Sequence, residues 1–80
     1  IMTDKELFQL VSESLEVSVE KINLESSQDK IEEWDSLGHL SILSSLSKDL
    51  GDGIKNVKGL GNCESLSCII KILKSAGLLE

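Results

Sequence analysis

There is no arginine in this chain, and its eight lysines face fourteen acids, for a formal net charge of −6. Binding nucleic acid needs a basic footprint that displaces counterions, so that class of partner is excluded. An anionic membrane surface is disfavoured on the same ground, and a basic protein surface is the natural complement. No run approaches the ~20 apolar residues that a membrane span requires. Proline is absent too, and there is neither an alternating strand pattern nor an internal repeat. Cysteine is scarce: Cys63 and Cys68 stand five apart, which fits neither a Cys-x-x-Cys redox pair nor a zinc knuckle. No secretory apolar stretch opens the chain. The expectation is therefore two free thiols in a reducing cytosol, packed as small core or half-buried hydrophobes.

What is present is the composition of one small globular domain covering residues 1–80, 40% hydrophobic and 28% charged,. Ile1 precedes Met2, the expected start, and reads as a remnant of expression,. A chain of this size buries only roughly 60–65% of the surface it exposes when unfolded, which weighs against a self-sufficient enzyme. Charge is unevenly spread. Residues 1–35 hold ten acids and three lysines, whereas residues 36–80 hold four acids and five lysines. The acidic field belongs to the first third of the chain.

Thr3-Asp4-Lys5-Glu6 is a capping box, and Leu7, Phe8, Leu10, Val11 and Leu15 follow on one helical stripe, which predicts a helix over about 4–15,. Residues 16–34 have no clean period. Val17, Val19, Ile22, Leu24 and Ile31 recur among acids and serines, which predicts an ordered loop pinned across the helices,. Asp35 or Ser36 caps a second helix. Its leucines at 37, 40, 43, 46 and 50 predict a narrow buried stripe, and Gly51 stops it,. Gly53, Gly59 and Gly61 leave room only for a short helical turn between Ile54 and Leu60. Asn62 caps the last helix, with Glu64 in its first turn and Leu66, Ile69, Ile70 and Leu73 buried, and Gly77-Leu78 suits a Schellman stop,. The fold class expected is all-α.

One segment carries chemistry: Trp34-Asp35-Ser36-Leu37-Gly38-His39-Leu40. It places a serine beside an acid at a helix N-terminus, after a long loop. A phosphate ester there would meet free amides and the positive end of the helix dipole. A bland alternative is that Asp35 and Ser36 merely cap the helix.

Asp35-Ser36-Leu37, opening a leucine-rich helix after a long loop in an acidic chain of this size, resembles the acyl carrier protein family. The resemblance extends over nearly the whole chain, to the closing Ser75-Ala76-Gly77-Leu78-Leu79. It implies a small four-helix bundle of the acyl-carrier type, with a long ordered loop between helices 1 and 2 and a short third helix. It also implies that a phosphopantetheinyl transferase places 4′-phosphopantetheine on Ser36, and that acyl groups ride on the arm as thioesters. In the family, the acid matched by Asp35 helps hold the magnesium used in that transfer, and the apolar residue matched by Leu37 helps partners dock. The partners implied are enzymes that load and accept acyl groups through basic surfaces. The expected protein is a cytoplasmic monomer with no catalysis of its own.

The sequence also departs from the family. Trp34 stands where many relatives carry glycine, and the middle of the second helix is rich in serine (Ser41, Ser44, Ser45, Ser47) instead of acids. Glu32, Glu33 and Asp35 are the candidates for the acidic docking contact in its place, which points to a specialised pathway over housekeeping fatty-acid synthesis. His39 is expected on the solvent side, where partners read it. Trp34 is either a lid on the loop or a contact for the arm. A Ser36–His39–Asp35 triad is rejected, because a base must stand between nucleophile and acid and no nucleophile elbow or oxyanion hole accompanies them. The rival reading is an unmodified helical protein-interaction module. An acyl-binding cavity between the leucine-rich helices and plain core packing both remain open at this level.

Overall fold

In the computed structural model, which describes all residues 1–80, the first helix begins where its capping box places it. Thr3 accepts from the Glu6 amide at 3.1 Å, and Glu6 accepts in return from the Thr3 amide at 2.9 Å. Helix α1 spans Asp4–Leu15 and buries Leu7, Leu10, Val11 and Leu15, with Phe8 only half-buried beside them. It ends at Glu16, whose positive φ of 58° turns the chain into the loop. The buried Ser12 hydroxyl donates to the Val17 carbonyl at this turn.

The long loop is ordered, and its ties are specific. A single 3₁₀ turn forms at Val19–Lys21. Asn23 and Ser26 lock a second turn, with the Asn23 amide donating to Ser26 Oγ at 2.9 Å. The backbone of Gln28 then donates to the Glu64 carbonyl and that of Leu66 to the Ser26 carbonyl, each at 2.9 Å. These two bonds pin the loop to the start of the last helix. Ile22, Ile31 and Trp34 enter the core, whereas Val19 and Leu24 stay exposed.

Helix α2 spans Ser36–Leu50 and packs mainly on α1, where the Ser14 and Ser45 hydroxyls meet at 2.8 Å. Its buried face corrects the leucine stripe: His39, Ile42 and Leu46 face the core, whereas Leu37 and Leu40 are exposed and Leu43 and Leu50 half-buried. The reason is geometric. Steps of three lag the 3.6-residue turn by about 60° each, so Leu37 and Leu46 lie on roughly opposite sides of the helix. Gly51, with φ 63°, ends α2 as expected.

The segment after α2 also differs from expectation. No helix forms between Ile54 and Leu60; 3₁₀ turns flank that stretch instead, at Gly51–Ile54 and Leu60–Asn62. Three glycines in nine residues leave too little helix-forming chain to repay nucleation, and Gly59 sits at φ 96°, outside helical space. Helix α3 spans Leu66–Ser75 and is capped by Ser65, which accepts from the Cys68 amide at 3.2 Å. Asn62 belongs to the preceding 3₁₀ turn, so it is not the cap, and Glu64 lies outside the first turn of α3. Leu66, Ile69 and Leu73 are buried and Ile70 half-buried. At the far end Leu78 donates to the Leu73 carbonyl and Gly77 to that of Lys74, the two bonds of a Schellman stop,.

The protein is thus all-helical, with three α-helices and three 3₁₀ turns around a core of 17 buried residues. Met2 and Leu79, which no periodicity marks as core, are buried where the two chain ends pair in a short parallel bridge. Cys63 and Cys68 form a disulfide, their Cα atoms 5.6 Å apart, and no free cysteine exists. The expected free thiols are corrected: the turn at Leu60–Asn62 carries Cys63 back onto the first turn of α3. No helix is long and apolar enough to cross a membrane.

Candidate functional site

Asp35 and Ser36 compete in the sequence for one job, and the structure divides their roles. The Asp35 backbone is extended and its Oδ1 accepts from the Gly38 amide at 2.8 Å, so Asp35 is the N-cap of α2. Ser36 is the first helical residue, exposed, and its hydroxyl enters no side-chain hydrogen bond. The amides of Ser36 and Leu37, without partners as the first amides of a helix must be, lie beside it,. The second Asp35 oxygen is likewise left to solvent. The site therefore presents a nucleophilic oxygen, two donors, the positive end of a 15-residue helix and one carboxylate oxygen,. A phosphodiester on Ser36 Oγ fits this set, because its charge would be met without any buried side chain having to move.

Close packing holds the turn in place. A Cβ on Gly38 would collide with the Glu33 carbonyl and come within 2.8 Å of Leu15 Cδ2. Only glycine lets the start of α2 lie this near the end of the loop and of α1.

Beneath the turn runs a chain of buried polar groups. The Trp34 indole N–H donates to His39 Nδ1 at 3.1 Å, and His39 Nε2 lies 2.8 Å from the Leu60 carbonyl. Since Nδ1 accepts, the ring proton sits on Nε2 and is donated to Leu60, which defines the neutral tautomer. The two rings are nearly parallel, with centroids 6.1 Å apart. Trp34 is 1% exposed and His39 6%. His39 was expected on the solvent side and Trp34 as a lid or a contact for the arm; the burial of both corrects the readings in which they face partners. An apolar indole body and a histidine with both nitrogens satisfied are more stable inside, where they link the loop end, α2 and the Leu60–Asn62 turn. Trp34 is a core residue at the end of the loop.

Of the remaining expected residues, Glu33, Asp35 and Leu37 meet on one surface. Glu32, Glu33, Asp35 and Leu37 are all exposed, Leu37 at 77%. Glu16, Glu33, Asp35 and Leu37 border one shallow cleft beside the end of α1. On the opposite side of Ser36 an open groove of about 680 Å³ runs between α2 and the segment 61–64, with Ser36, Leu40 and Leu43 on one wall and Asn62 and Cys63 on the other. Sequence reasoning missed Gln28, Asn62 and Glu64 as groove residues, since nothing local marks a loop residue that becomes a wall only through contacts made across the fold. No cluster of potential metal ligands occurs.

Comparison with protein-family models, with characterised proteins and with solved structures finds no match. The functional reading therefore rests on the site and on the resemblance that its residues carry.

Proposed function

We propose that this chain is a carrier protein, bearing 4′-phosphopantetheine on Ser36 and passing acyl groups between partner enzymes. The observation that carries the reading is the division of labour at the start of α2: Asp35 caps the helix, and Ser36 is left exposed with its hydroxyl free. The resemblance of Asp35-Ser36-Leu37 and its setting to the acyl carrier protein family supplies the identity of the group. The same reading extends to the fold. The segment from Gly51 to Asn62 would stand where a four-helix bundle of the acyl-carrier type has its short third helix.

The residues would act as follows. When a phosphopantetheinyl transferase acts, Ser36 Oγ would attack the pyrophosphate of coenzyme A and lose its proton, forming a phosphodiester to phosphopantetheine as the P–O bond to adenosine 3′,5′-bisphosphate breaks and that nucleotide leaves. By the resemblance, the free Asp35 oxygen would help hold the magnesium of that transfer, while Oδ1 caps the helix start. The arm supplies a terminal thiol on which an acyl group is held as a thioester. Leu37 and the acids Glu32, Glu33 and Asp35 offer an apolar contact ringed by negative charge, suited to weak, fast docking on basic surfaces. Tethering raises the local concentration of cargo at each partner without requiring a tight complex. The acids of this surface lie in the loop and not along α2, whose only charged side chains are Lys48 and Asp49, so a dedicated pathway is favoured over general fatty-acid synthesis. We place this activity in the cytoplasm, with the chain acting as a monomer and performing no catalysis of its own.

A second reading, an unmodified protein-interaction module, is favoured by the exposed pair Leu37 and Leu40, at 77% and 61%,. Intact-protein mass spectrometry after incubation with coenzyme A, magnesium and a broad-specificity phosphopantetheinyl transferase separates the two. The carrier gains one phosphopantetheine, mapped to Ser36, and Ser36→Ala gains none. A folded wild-type chain that gains nothing beside a control carrier that loads would leave the interaction module.

A further inference from the structure

The groove wall facing α2 is built from poor material. Residues 59–64 include Gly59 and Gly61, and only the three-residue 3₁₀ turn Leu60–Asn62 orders them. Beside the Leu60 side chain buried in the core, three ties hold this wall against the rest of the fold: His39 to the Leu60 carbonyl, Gln28 to the Glu64 carbonyl, and the Cys63–Cys68 disulfide. The first two are single hydrogen bonds. Only the disulfide is covalent, and it joins the wall to the first turn of α3, which is firmly packed through the fully buried Leu66 and Ile69. Cys63 lines the groove and is 1% exposed, whereas Cys68 is half-buried on the outer side. Cys63 therefore belongs to the wall, and Cys68 is the less buried member of the pair.

We propose that Cys63–Cys68 is a thiol–disulfide exchange site, and that a dithiol reductant acting on it releases the 59–64 wall and loosens the groove beside Ser36. A thiolate of the reductant attacks Cys68 Sγ; the Cys63–Cys68 bond breaks, and Cys63 leaves with the electron pair and takes up a proton. The second thiolate of the reductant then attacks its own sulfur in the mixed disulfide, and Cys68 departs and is protonated. The chain gains two electrons and two protons, and the reductant becomes a disulfide. With the staple open, the glycine-rich wall is left with two hydrogen bonds and the single buried side chain of Leu60, and it fluctuates locally while α1 and α2 keep their packing. The inference concerns the wall itself and does not require that Ser36 be loaded.

The test uses the full chain with and without dithiothreitol under native conditions. Alkylation followed by mass spectrometry is expected to label neither cysteine before reduction and both after it. Hydrogen exchange at residues 59–64 should then accelerate about tenfold or more, with the buried amides of α1 unchanged and the helical circular dichroism retained. Cys68→Ser, oxidised or reduced, should match the reduced parent in exchange. Labelling of both thiols without reductant would overturn the proposal, as would a disulfide that yields only when the chain is unfolded. Unchanged exchange at 59–64 after reduction, or loss of the helical signal as a whole, would also overturn it, the latter making the bond a global staple. Transferase loading of Ser36, followed separately in both redox states, should differ in rate. Absence of loading in both states counts against the carrier reading alone, and equal non-zero rates count against control of the groove.

Discussion

Replacing His39 by leucine tests the reading of this side chain as a buried strut. Leucine keeps a comparable apolar volume but removes both ring nitrogens. The Trp34 indole N–H loses its acceptor at 3.1 Å, and the Leu60 carbonyl loses one of its two donors, the His39 ring at 2.8 Å, while keeping the Cys63 amide at 3.2 Å. Each partner is buried, Trp34 at 1% exposure and Leu60 at 5%, so neither recovers a water without opening the core. Leaving a buried donor or acceptor unpaired costs about 1–3 kcal/mol. The one orphaned group, the indole N–H, predicts a loss of about 1–3 kcal/mol, against a total of roughly 4–12 kcal/mol for a domain of this size. Urea unfolding followed by helical circular dichroism, which serves variants with and without Trp34, the sole tryptophan, measures it directly, with an unchanged m-value as the check that the unfolded state is the same. Trp34→Phe in the His39→Leu background removes the orphaned indole N–H. The double variant should therefore be more stable than the sum of the single losses by about 1 kcal/mol or more. A His39→Leu protein within about 0.5 kcal/mol of the parent would place His39 among ordinary surface positions and refute the strut.

Asp35→Ala should lose about 1 kcal/mol through its lost cap, whereas Ser36→Ala should keep its stability while losing all phosphopantetheine; thermal melts of the two variants compare them, and the reverse order would make Ser36 the cap. Gly38→Ala should destabilise by about 1–3 kcal/mol through overpacking, although alanine is the better helix former, because the new Cβ meets the Glu33 carbonyl and Leu15; a higher melting temperature would show that the turn can give way. The Thr3 amide and hydroxyl hold the Glu6 carboxyl below the usual carboxylate range. A lowered folded-state value means that Glu6 stabilises the fold above its unfolded pKa and that this contribution is lost as pH falls through the folded one. Glu6→Gln, compared with the parent across the acid limb of the stability curve, should therefore show a shallower dependence on pH, and identical limbs would refute the assignment.

Some elements were legible because their signals are short-range. The Thr3–Glu6 box and the Gly77-Leu78 stop act within one helical turn, so the residues that make them also announce them. The ordered loop could be inferred because Ile22 and Ile31 had to bury somewhere, and the exposed Asp35-Ser36-Leu37 turn could be placed because a cap, a helix start and a long preceding loop coincide. The buried face of α2 was not legible in this way. Apolar residues at 37, 40, 42, 43, 46 and 50 surround much of the helix, and several faces compete for the core.

The amino-acid sequence by itself determined the helical class, the ends of α1, the stop of α3 and the position of Ser36, since each depends on backbone amides and side chains at most a few residues apart. Only the tertiary structure decided that Ser65 and not Asn62 starts α3, that Trp34 and His39 turn inward, that Cys63 pairs with Cys68, and that Gln28 and Glu64 flank the groove beside Ser36. Each of these follows from which surfaces meet. His39 is buried because Leu60, 21 residues away, brings a carbonyl to its Nε2 and Trp34 brings a donor to its Nδ1. A polar side chain goes inside only when its partners are already there, and neither partner is visible from the helix that carries it.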